Sequence, residues 1–168
     1  MRILYVFGEK RHNNVIEKES VRGILLTEDG KVLMLYSEKN HDFSFPGGTK
    51  EEGESDEETL AREVQEETGY EVELSSLKEF GEGELWKPDD NEGNTDFHQV
   101  NRYYFFQGKL KWPPKLTDNE ERDGIHAVII HPQNAIERNQ TLLNKGYHWI
   151  PRELAVLEKL KVLINSEY

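Results

Sequence analysis

Apolar and polar positions along the chain alternate in ways that predict a strand-rich fold with few helices. Residues 2–7 read as a short strand, followed by a polar loop at 8–14. Residues 21–27 predict a second strand, and Asp29-Gly30 a tight turn into the apolar run Val32-Leu33-Met34-Leu35-Tyr36. That unbroken run predicts a strand covered on both faces. Residues 37–42 form a loop, and Phe43-Ser44-Phe45-Pro46 leads into a glycine-rich turn. Leu60, Ala61 and Val64 recur at helical spacing. Tyr70, Val72 and Leu74 then alternate as a strand, with another over 77–86. Residues 87–98 are polar and acidic without periodicity and predict a long loop. A strong aromatic strand follows at 100–110. A second loop, opened by Trp112-Pro113-Pro114, runs to Asp123 and a strand at 125–130. A helix begins near Pro151, with Leu154, Leu157, Leu160 and Ile164 as its buried stripe. Strands flanked by helices on two faces predict an α/β (α+β) protein, an αβα sandwich around one sheet.

The stretch from Gly47 to Tyr70 carries the chemistry. Ser55 and Glu58 form a capping-box pair, Asp56, Glu57 and Glu58 complement the helix dipole, and Gly69 sits where a left-handed residue ends a helix. At about 100° per residue, Glu63, Glu66 and Glu67 share one arc beside the apolar stripe. Between Lys50 and Glu67 stand nine acids and two bases. Like charges at i,i+3 and i,i+4 destabilise a helix. A hard cation resolves the conflict, since carboxylates and phosphate oxygens are what Mg²⁺ prefers. The competing reading is a solvated acidic face.

Spacing separates the two readings. Residues 48–70 fit G-x5-E-x7-R-E-U-x-E-E-x-G-U, where U is a bulky apolar residue. The seven fixed positions would recur by chance in about two of 100,000 chains of this composition. On these residues the chain resembles the Nudix hydrolases; Tyr70 stands where an aliphatic residue is more usual. The resemblance implies a mixed sheet between helices and a cation, Mg²⁺ or Mn²⁺, that bridges substrate phosphates at the box helix. It implies Glu66 and Glu67 as principal metal ligands, the Gly47 carbonyl as a backbone ligand, and Glu63 as a ligand or the base for the attacking water. Glu54 and Arg62 match the pair that fixes the loop against the helix. A distant loop carboxylate often joins the site, which nominates Glu120 or Glu121 as catalytic, with Asp123 in reserve.

The implied reaction is hydrolysis of a phosphoanhydride in a nucleoside diphosphate linked to a group X. A nucleoside triphosphate or related small nucleotide is the favoured substrate. ADP-ribose or a nucleotide sugar comes second, although the proline expected about fifteen residues past the box is replaced by Leu85 and Trp86. A non-catalytic nucleotide-sensing domain is the rival from another class, and the intact box argues against it. No organic cofactor is implied.

Composition narrows the partners. A net charge of −12 argues against nucleic-acid backbones and anionic membrane surfaces. The absence of cysteine, of a signal-like segment and of any membrane-length apolar run fits a single soluble cytoplasmic domain over residues 1–168, with homodimer formation left open. Outside the box, Trp86, Tyr103 and Trp149 are candidates to stack on a base, although core packing is the first reading of each, and Arg102 is a candidate to meet a phosphate. His126 and His131 read as structural or exposed.

Overall fold

The structure, a computed structural model, describes residues 1–167. Eight strands, β1 (Ile3–Phe7), β2 (Asn14–Ile24), β3 (Val32–Ser37), β4 (Phe43–Ser44), β5 (Gly47–Thr49), β6 (Tyr70–Pro88), β7 (Thr95–Leu110) and β8 (Ile125–Ile130), build two sheets. The larger is mixed and five-stranded, in the order β1-β6-β7-β2-β5; the smaller has the order β4-β3-β8 and is antiparallel. Four α-helices complete the described chain: α1 (Asp56–Thr68), α2 (Asp118–Arg122), α3 (Pro132–Gln140) and α4 (Ile150–Glu167).

Successive residues of a strand face opposite ways, and the large sheet uses this to serve two cores. On one side Tyr103, Ile24 and Tyr5 pack with Phe45 and with Val156, Leu157 and Leu160 of α4. On the other, Val21 and Phe106 pack with Leu60 and Val64 of α1. β3 feeds both cores, Val32 and Met34 the first and Leu33 the second, so its unbroken apolar run is buried on both faces as expected. Truncating fully buried Leu60 to alanine would cost about 2–5 kcal/mol and loosen α1 from the sheet.

Several elements differ from the sequence expectation. The loop expected at 87–98 is a hairpin: β6 runs to Pro88, β7 starts at Thr95, and the Asp89 carboxylate accepts the N–H groups of Asn91 and Glu92 in the tight turn between. The two strands expected at 70–74 and 77–86 are one strand, β6, irregular in register near residues 73–81. β2 begins at Asn14 rather than Val21, held in parallel register by β7. The stretch between 131 and 150, for which the pattern predicts no element, holds α3, which begins with Pro132 in its first turn and packs on α4. No described helix is long and apolar enough to cross a membrane.

Candidate active site on the acidic helix

The acidic helix starts and stops where its residues dictate. Ser55 accepts the Glu58 N–H and Glu58 accepts the Ser55 N–H, while Gly69, at φ 77°, closes the last turn by donating to Gln65. A side chain at Gly69 would lie 1.9 Å from the Trp112 carbonyl. The Gly69 carbonyl accepts the N–H groups of Lys111 and Trp112, and the Glu66 carbonyl accepts that of Lys115 at 2.7 Å. The free carbonyls of the helix end thus anchor the segment that leads to α2.

Arg62 organises the N-terminal side. Its Nε and Nη2 donate to the two carboxylate oxygens of Glu54, each at 2.8 Å, and its Nη2 also donates to the Thr49 carbonyl. This forked pair holds the loop 50–55 against α1 and lowers the Glu54 carboxyl to about 2. Glu54 and Arg62, expected as an orienting pair, are thus brought together.

β5 lies across the helix, and two glycines make the approach possible. Gly47 has φ 146°, and a Cβ there would sit 2.2 Å from the Val21 carbonyl. At Gly48 a Cβ would stand 2.5 Å from the Glu63 carboxyl. Glu63 therefore lies flat against bare backbone, also accepting Arg62 Nη1 at 2.8 Å. One helical turn on, Glu67 is buried beneath the same strand, and its Oε1 accepts the Gly47 N–H at 2.7 Å.

The electrostatics are strained by design of the sequence. Burial pushes the Glu67 carboxyl well above the usual carboxylate range; the Gly47 N–H pulls it down, and the charges of Glu63 and Glu120 push it further up. Burial also raises Glu63, partly offset by Arg62 and reinforced by Glu66 and Glu120. Glu66, half-exposed, lies 3.5 Å from Arg62 Nη1. No three acidic or histidine side chains among the described residues are gathered closely enough, as they stand, to ring an ion. The donor set nevertheless fits a hard divalent cation. Its members are carboxylate and carbonyl oxygens, and one buried carboxylate has two acidic neighbours and no directly paired base.

Of the two distant candidates, Glu120 is the one whose charge reaches Glu63 and Glu67. It stands third in α2, where Thr117 caps the helix and the Glu120 carboxylate accepts the Thr117 N–H at 2.9 Å. Glu121 is exposed, and Asp123 ends α2 beside Lys39. The remaining candidates are engaged elsewhere. Arg102 is ion-paired to Asp56 at 2.7 Å and Glu19 at 2.9 Å; Tyr103 is fully buried; Trp86 stacks on His98; Trp149 donates to Asp42. His131 precedes α3 without a side-chain cap, and His126 is exposed near Glu38.

Comparison with known proteins bears on the family and the fold. The family model described as the NUDIX domain matches residues 17–152. A MutT-like protein of Streptomyces ambofaciens is 43% identical over 58 residues, which span 34% of this chain and 38% of that relative. The chain therefore matches well under half the length of that relative. Among solved structures, a NUDIX hydrolase from Nitrosomonas europaea aligns with TM-score 0.55 and 18% identity, over 74% of this chain and 79% of its own. The MutT protein of Bacillus halodurans aligns with TM-score 0.52 and 20% identity, over 72% of each chain. At such identities the structural likeness speaks for the fold alone.

Proposed function

Since the chain belongs to the Nudix family, we propose that it is a hydrolase that uses Mg²⁺ or Mn²⁺ to cleave a phosphoanhydride bond in a nucleoside diphosphate-X substrate, with a nucleoside triphosphate as the preferred class. The observation that carries the reading is the buried Glu67 carboxylate, crowded by the charges of Glu63 and Glu120 and answered by the Gly47 N–H and, without an ion pair, by the charge of Arg22. A fold selected for stability alone would not bury one carboxylate beside two others of like charge.

Glu63, Glu66 and Glu67 with the Gly47 carbonyl would hold the cation. When bound, it neutralises phosphate charge and lowers the pKa of a coordinated water. The chain's own residues do the rest by position. Arg62 and Glu54 fix the loop, so that β5 keeps its place over the helix. Gly47 and Gly48 keep bare backbone against Val21, Arg22 and the Glu63 carboxyl, which lets β5 lie close over the helix. Glu120, brought in on α2, takes a proton from the attacking water at its carboxylate. Phosphoryl transfer needs little more than positioning and electrostatic stabilisation.

The test is a hydrolysis panel across nucleotide classes in millimolar Mg²⁺, with products identified. Hydrolysis of at least one nucleoside diphosphate derivative that stops in excess chelator is the expected result. Full activity in chelator, or silence across a broad panel with metal present, would overturn it.

A further inference from the structure

Beyond the acidic helix, the opposite face of the large sheet holds an electrostatic anomaly. In β2, Lys18, Ser20 and Arg22 share one face, and the register sets Ser20 beside Asn101 and Arg22 beside Tyr103 of β7. Arg22 Nε donates to Asn101 Oδ1 at 2.9 Å, and Nη1 reaches the Phe45 carbonyl at 3.4 Å. Arg62, Arg102 and Arg152 each meet a carboxylate; among the described residues neither Arg22 nor Lys18 forms an ion pair, although the charge of Arg22 is felt at Glu67. In a chain with 33 acids and 21 bases, two neighbouring unpaired cations on a partly buried face require a reason.

A second observation supplies one. The Asn101 side chain is fully buried, and its Nδ2 is a buried polar atom without a partner, the sole such atom among the described side chains. Leaving an amide donor unpaired costs about 1–3 kcal/mol, so native proteins keep such groups where something completes them. With Asn101 Oδ1 engaged by Arg22, the amide offers only a donor. The carboxylates near this face are already taken. Glu153 accepts from Arg152 and the Phe45 N–H, and Asp42 from Trp149. Burial depresses the Lys18 ammonium, and the positive charges of Arg22 and Arg152 depress it further. What the face lacks is an anion that accepts several hydrogen bonds.

Arg22 also links this face to the acidic helix. It pairs with Gly47 across the β2–β5 ladder, and Gly47 donates to Glu67. We infer that Arg22, Lys18 and the Asn101 amide form a phosphate subsite that takes a phosphate of the substrate lying beyond the diphosphate gathered at the acidic helix. This deepens the proposed reaction and rests on it for the word substrate, but the binding itself needs neither metal nor turnover. Phosphate satisfies all three groups at once, because it is acceptor-only and multiply charged.

The experiment is calorimetric titration of inorganic tripolyphosphate into the full chain in chelator, at low and fixed ionic strength. Wild type should bind, and more tightly than it binds inorganic pyrophosphate. Arg22→Gln should weaken binding by about 10- to 100-fold, as expected for a charge-assisted hydrogen bond. Because Arg22 braces Asn101, Lys18→Met is the second variant; Lys18 makes no side-chain hydrogen bond, and its loss should weaken binding about 5- to 10-fold. Lys145→Met, an exposed cation outside the face, should bind as wild type does. Absence of binding to wild type, or equal weakening by K18M and K145M, would overturn the subsite. Neither result depends on hydrolysis, so a silent activity panel would count against the proposed reaction and not against the subsite.

Discussion

Replacing Glu67 by glutamine should stabilise the metal-free protein and at the same time disable it. Glutamine keeps the shape, the helix propensity and the acceptor oxygen that receives the Gly47 N–H at 2.7 Å. It removes one charge from a buried position where Glu63 and Glu120 both repel it. A like-charge i,i+4 pair on a helix costs about 0.2–0.5 kcal/mol, so relieving the one with Glu63 and a comparable one with Glu120 on α2 returns about 0.4–1 kcal/mol before any relief of desolvation. For a chain of this size that is about 1–4 °C in Tm.

The sign of the pH dependence follows from the direction of the shift. A carboxyl whose folded pKa is raised binds more protons folded than unfolded, so stability falls as pH climbs from the unfolded value towards the folded one. The advantage of glutamine should therefore be absent below about pH 4, grow through the weakly acidic range, and be complete once folded Glu67 is ionised. In millimolar Mg²⁺ the order should reverse, since binding stabilises in proportion to affinity and the variant has lost a ligand. Melting curves in chelator and in Mg²⁺ across this pH range decide the matter. An apo variant that melts below apo wild type at neutral pH, or an advantage that persists in acid, would refute the reasoning and make Glu67 a structural hydrogen-bonding residue.

Glu120→Gln should lower kcat by about 10²–10⁴-fold with little change in Tm, since glutamine can still accept the Thr117 N–H, while Glu121→Gln should stay near wild type. Gly48→Ala should push the Glu63 carboxyl from its seat and weaken Mg²⁺-dependent thermal stabilisation more than it lowers the apo Tm. Asp56→Asn should cost about 1–3 kcal/mol at neutral pH, read by denaturant unfolding. Although burial alone would raise Asp56, hydrogen bonds from Arg102, Tyr104 and Lys50 hold it at about 2. Its contribution is present above the unfolded value and should vanish as pH falls through about 2, closing the gap to the variant.

What the sequence discloses follows from how local each cause is. The acidic helix has its cap, its terminator and its apolar stripe within sixteen residues, so its boundaries and the Glu54–Arg62 pair could be read directly. Lys87 to His98 misled because the partners that order it are distant. Asp96 is buried by accepting the N–H groups of Arg11 and His12, and His98 is bracketed by Glu17 and Glu84. Polar residues satisfied across strands carry no period in hydropathy, and the segment looks like a loop. Glu120 could be nominated but not told from Glu121, because the choice depends on where Gly69 and Lys115 anchor the preceding segment. Asn101 gave no signal at all. An amide in an aromatic strand becomes notable only when its donor is found buried and alone.

The first half of β2 shows why such residues escape a hydropathy reading. Glu17, Lys18, Glu19, Ser20 and Arg22 leave both faces of the strand polar, so no apolar alternation announces it before Val21. The pleat instead sorts charge by sign. Glu17 and Glu19 turn to one side, where they meet His98 and Arg102; Lys18 and Arg22 turn to the other, where no carboxylate meets them. A slip of one residue against β7 would exchange the two sets, setting acids beside Asn101 and bases on the side where Arg102 stands. The register is held where the strand does become apolar, by Val21 and Ile24 in opposite cores. Burial in the second half of the strand thus decides which charges the first half presents. Through Gly47 the same strand carries that decision to within one hydrogen bond of Glu67. A strongly acidic chain thus carries carboxylates on one face of β2 and cations on the other.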